Sequence, residues 1–168
     1  MPEDSETLER LQVDRRAAIE QVMLRVGSEA GFGRVCAQEG MAGAGEALDA
    51  SGGDSTQSMT GLFRTRVGTD AAAAPKLVHW CRVESIAFFL IAHASENITM
   101  TQTVLVAMTK KILGLVPQIA TQPTDVLQFP DEVAAVEHFY LPNGLIMFGN
   151  NEVFAQIGKE VDAFLEKT

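Results

Sequence analysis

Hydrophobic and polar positions follow two rhythms along this chain, one of strands in its middle and one of helices on either side. In the stretch Lys76–Ser95, KLVHWCRVESIAFFLIAHAS, two apolar runs, Leu77–Cys81 and Ile86–Ala92, are separated by the polar group Arg82, Glu84 and Ser85. Short runs rich in Val and aromatics predict buried strands, and the polar break predicts a hairpin turn. Ile86–Ala92 is apolar at every position, which predicts a central strand covered above and below. The competing reading is a helix through Ser85–Ala94, but no polar stripe at helical spacing accompanies it.

The helical rhythm begins near the start. Leu8, Leu11, Ala18, Ile19, Val22, Met23 and Val26 recur at steps of three and four, predicting one apolar helix face over Ser5–Val26, with Ser5 as N-cap and Gly27 as stop. Residues 28–58 are rich in Gly, Ser and Ala and lose all periodicity, which predicts a flexible loop. Gly61–Val67, GLFRTRV, reads as an edge strand with Arg64 and Arg66 outward. After the hairpin, Asn97-Ile98-Thr99 starts a helix over Thr99–Val116, whose face is Met100, Val104, Leu105, Met108, Ile112, Leu113 and Leu115. Gly114 and Pro117 close it. Thr121–Phe129 is irregular, and Pro130 opens a short helix, Asp131–Tyr140, with Val133, Val136 and Phe139 or Tyr140 inward. Leu141-Pro142-Asn143-Gly144 predicts a turn, and Leu145–Phe148 a short extended run. Asn150 or Asn151 caps a last helix to about Glu166, with a stripe of Val153, Phe154, Ile157, Val161, Phe164 and Leu165.

Composition narrows the function classes. With 168 residues, 46% of them hydrophobic, the chain can fill one core. A formal net charge of −9 gives no attraction to nucleic acid or anionic lipid. No run has the length of a membrane span, and MPEDSETLER does not read as a signal peptide, so a cytosolic location is expected. Cys36 lies in a Gly-rich loop and Cys81 in a strand, so both are expected to be reduced.

Candidate chemistry is sparse. The Gly patterns GSEAGFG and GMAGAG follow no strand and lack GK[ST], so they have no phosphate-cradling mechanism. His79, His93 and His138 have no HxxxH or CxxC partner spacing for a metal. His79 and Cys81 lie two apart on one strand face and suggest a nucleophile pair, but no third group orients them, and a core cysteine is the commoner outcome. No carboxylate pair stands out as acid and base. No catalytic residue, cofactor or metal is expected, and the partner-binding residues remain unassigned.

Several stretches resemble one family. They are LERLQVDRRAAIEQV, GLFRTRV, LVHWCRVESIAFFLIAHASEN with its following helix, and VEHFYLPNGLIMFGNNEVFAQIGKEVDAFL. Together they are similar to the sigma subunit of the fifth adaptor-protein complex, a longin-type small adaptin. The resemblance implies an α/β fold of α+β type: a longin-like antiparallel sheet flanked by helices, as one domain over residues 1–168. It implies a non-enzymatic subunit of a heterotetrameric adaptor complex that sorts membrane cargo at late endosomes or lysosomes. The implied partners are a large zeta-type subunit, the other adaptor subunits, and spatacsin and spastizin, with membrane contact only indirect. Sigma subunits of other adaptor complexes help bind acidic dileucine signals, but no residue here can be given that role. The departure is at the front. Longins begin with two hydrophobic strands before the first helix, whereas Met1 is followed at once by PEDSETLER. A truncated start is expected, with a partner filling the gap as the alternative. Two other function classes stay open: a longin or roadblock module of a small-GTPase regulator, and a small-molecule enzyme using His79 or Cys81.

Overall fold

The computed structural model describes residues 13, 15–28, 58–66, 74–147 and 149–167. Helix α1 covers 15–28 within that set, followed by strands β1 (Ser58–Thr65), β2 (Lys76–Val83) and β3 (Ile86–His93). Helices α2 (Ile98–Leu115), α3 (Pro130–Tyr140) and α4 (Asn151–Leu165) complete the order. The start of the first helix and the stretch read as a flexible loop lie outside the described residues, apart from their edges. At the near edge, α1 runs through Gly27 to Ser28 rather than stopping at Gly27.

The three strands form an antiparallel sheet in the order β1-β2-β3. Register separates its two faces, because side chains alternate along each strand. Gly61 and Phe89 flank Trp80, and Phe63 and Ile91 flank Val78. This face meets Val22 and Val26 of α1 in one apolar cluster. The opposite face carries Leu77, His79, Cys81 and Val83, flanked on β3 by Ala92, Leu90, Phe88 and Ile86. Cys81 and Val83 pack there against Leu105 and Leu113 of α2. Helices α3 and α4 extend this side into the largest cluster, built on Val104, Ile112, Val136, Tyr140 and Val161. The fold is therefore α+β, with helices on both faces of an antiparallel sheet, consistent with a longin-like domain.

The central strand among the described residues is β2, a correction to the expectation for Ile86–Ala92. Five consecutive residues of β2, Leu77–Cys81, are buried, whereas β3 has only Ala92 buried and most of the rest half-buried. The physical reason is that two apolar faces report helices above and below a strand. They do not report strands on both sides of it. α1 and α2 supply the cover, and β3 still forms an edge of the sheet.

Local signals fix most element ends. The β2–β3 turn is Glu84-Ser85, with Val83 paired to Ile86. Ser85 donates both its backbone N–H and its hydroxyl to the Ala120 carbonyl, tying the hairpin tip to the 3-10 turn Pro117–Ala120 after α2. Asn97 caps α2 and Asn150 caps α4; each side chain accepts the N–H three residues on, at 3.1 and 2.9 Å. The segment predicted to be irregular contains a second 3-10 turn, Pro123–Gln128. The expected extended run Leu145–Phe148 forms no strand among the described residues: Leu145 is extended in φ/ψ but 66% exposed and pairs with nothing in the sheet. Four residues cannot hold a strand without a neighbouring edge to bond.

Candidate functional site

His79 and Cys81, the pair singled out in the sequence, lie on one buried seam. Alternation along β2 sends His79 and Cys81 to the face covered by α2, and both are essentially inaccessible, at 2% and 0% exposure. Helix α2 answers with two buried threonines, Thr101 and Thr109. Thr101 satisfies its hydroxyl by donating to the Asn97 carbonyl one turn back, at 2.8 Å. Thr109 has no hydrogen bond of ordinary geometry, and its neighbour across the seam is the Cys81 thiol. His79 Nε2 likewise has no hydrogen-bond partner.

This arrangement does not activate a nucleophile. Burial pushes the Cys81 thiol up, against smaller opposing pulls from the Thr109 hydroxyl and Lys110. Burial also pushes His79 down. A raised thiol yields little thiolate at neutral pH, and a reagent would have to displace α2 to reach it. The other histidines are elsewhere. His93 ends β3 in the open, with Nδ1 2.7 Å from the Ser95 hydroxyl. His138 lies exposed on α3, edge-on to Phe139. The structure does not gather the three, and no group of three or more His, Cys, Asp or Glu that could hold a metal occurs among the described residues. Trp80, in the run Leu77–Cys81 that reads as a buried strand, is buried beneath α1.

The threonines were missed because a helical stripe was read from apolar residue types alone. Their spacing was the available signal: Thr101, Leu105, Thr109 and Ile112 recur at four, four and three.

The outer surface offers shapes for macromolecular contact. A groove of about 380 Å³ runs between α2 and α4, lined by Val106, Lys110, Lys111, Tyr140, Phe154 and Gly158 among others. Lys111 pairs with Asp162. Tyr140 stacks on Phe154 and donates to its carbonyl at 3.3 Å. Burial, with Asp162 adding to it, raises the Tyr140 hydroxyl, so it stays protonated as that donor. Exposed apolar side chains include Met23 and Leu24 on α1, Leu127 in the second 3-10 turn, and Phe164 on α4. Among the described residues no helix is long and apolar enough to cross a membrane.

A family model described as AP-5 complex subunit sigma-1 matches residues 2–162. The chain belongs to the AP-5 complex subunit sigma-1 family. It is thus a small subunit of an adaptor complex. The match spans all three strands and the first three helices and ends within α4. No curated protein and no solved structure matches the chain.

Proposed function

We propose that this chain acts as the non-enzymatic sigma subunit of its adaptor complex, docking on a large zeta-type subunit and stabilising the heterotetrameric core. The complex would work in vesicle-mediated protein transport at late endosomes and lysosomes, together with spatacsin and spastizin. The chain itself would be cytoplasmic and reach the membrane only through its partners. The match to the sigma-1 family over residues 2–162 carries this reading. The burial of His79 and Cys81 supports it, because this candidate nucleophile pair is taken up in packing.

The test is capture of the tagged chain from cells, with its partners quantified by mass spectrometry. The expected result is stoichiometric recovery of the large and medium subunits of the fifth adaptor complex, with spatacsin and spastizin at lower yield. Recovery of a small GTPase with none of the adaptor subunits would overturn it in favour of a GTPase-regulator module.

A further inference from the structure

His79 is a polar ring stored where its second proton has nowhere to go. It sits mid-strand on β2, opposite Leu62 on β1 and Leu90 on β3, on the face that α2 covers. It is 2% exposed, and its Nε2 has no hydrogen-bond partner. Tolerating a neutral imidazole there costs one unmade hydrogen bond. An imidazolium would require a counter-charge or water.

Among the described residues, the elements around His79 supply no counter-charge. On the same face of β1 the charged side chain is Arg64. On β2 the titratable neighbour is Cys81, whose thiol burial holds protonated. β3 presents Ile86, Phe88, Leu90 and Ala92, with no charge. Helix α2, ITMTQTVLVAMTKKILGL, contains no acidic residue, and its charged groups are Lys110 and Lys111. Lys110 acts electrostatically on Cys81, two residues from His79, and Lys111 is engaged by Asp162 of α4. Every charge that the adjoining described elements bring to this seam is positive, apart from the carboxylate already committed to Lys111. Thr109, the second buried hydroxyl of the seam, is uncharged.

We propose that His79 is a proton-operated latch between the sheet and α2: the neutral ring lets the helix close on β2, and taking a second proton drives the seam open. The sign follows from burial. The folded chain binds this proton less readily than the unfolded chain, so unfolding takes up a proton. Stability contributed by the neutral ring is complete above the unfolded histidine range, near pH 6.5, and is lost as pH falls below it. The limit for a single linked proton is a change of about tenfold in the unfolding equilibrium constant per pH unit.

The experiment is urea unfolding of the 168-residue chain in steps from pH 8 to pH 5.5, for wild type, His79→Gln, His79→Leu and the double variant His93→Gln/His138→Gln. Hydrogen exchange across α2 is followed at the same pH values. The expected result is a steep pH dependence in wild type and in the double variant, with α2 amides opening first on acidification. Both His79 variants should lose most of that dependence. Two variants are used because Gln can leave a buried amide unsatisfied while Leu can overfill the site, and the pH slope is read independently of the absolute stability. If either folded His79 variant keeps the wild-type slope, the latch is wrong. Wild-type exchange in α2 that does not respond to pH would overturn it as well, and that measurement needs no variant to fold.

Discussion

Two single residues make the sharpest demands on the backbone. Gly61 sits directly across from Trp80, and a Cβ there would fall 2.4 Å from the indole ring. An edge glycine covered by a cross-strand aromatic lets the ring lie flat on the sheet beneath α1. Gly61→Ala must push Trp80 into the cluster formed with Val22, Val26 and Val78, an overpacking cost of about 1–3 kcal/mol. A lowered urea midpoint with unchanged slope checks it, and a midpoint equal to wild type would mean the ring is free to move. Glu84, first residue of the hairpin turn, has a φ of 50°, in the left-handed region. Relief of about 1–2 kcal/mol of left-handed strain exceeds the roughly 0.5–1 kcal/mol entropic cost of a glycine. Glu84→Gly should therefore stabilise by up to about 1 kcal/mol, read from the same unfolding curves. Legibility at this scale followed residue type. His79 and Cys81 stood out because their side chains carry chemistry, and alternation placed both on one face. Their burial followed from the apolar run Leu77–Cys81, but the element that covers them could not be read, because α2 folds over them from outside the strand.

At the scale of elements, capping and pairing decided what the sequence could reveal. Asn97 and Asn150 announced their helices because an N-cap side chain leaves a local signature, and both accept the expected N–H. Asn97→Ala should cost about 0.5–2 kcal/mol and Asn97→Asp much less, with thermal unfolding as the readout. The inward faces were less legible. The predicted stripe of α4 included Val153 and Phe164, which are 40% and 50% exposed, while Gly158 is buried against the Tyr140 hydroxyl and Lys111. A glycine carries no hydrophobic signal, so packing at Gly158 is visible only once Tyr140 is in place. The same limit affected Met23, which extends the apolar rhythm of α1 but stays 57% exposed while Val22 and Val26 fill the seam. Strand order was the least legible feature, since it depends on which edges meet and no single strand encodes that.

For the whole molecule, the sheet edge at β3 sets the behaviour to expect in solution. Its outer side is unpaired among the described residues, and Ile86–Ala92 carries no charge that would oppose pairing with another strand. The 168-residue chain alone should self-associate with rising concentration. Ala87→Lys, which charges an exposed position of β3, should reduce this without altering the fold, as sedimentation velocity at several concentrations would show. The central claim is that this chain is built to be one subunit of an adaptor assembly. Sedimentation of the purified chain mixed with an equimolar large zeta-type subunit tests it most directly. The prediction is a single one-to-one complex at micromolar concentration, with self-association of the small chain suppressed. Two folded proteins that sediment independently would contradict it.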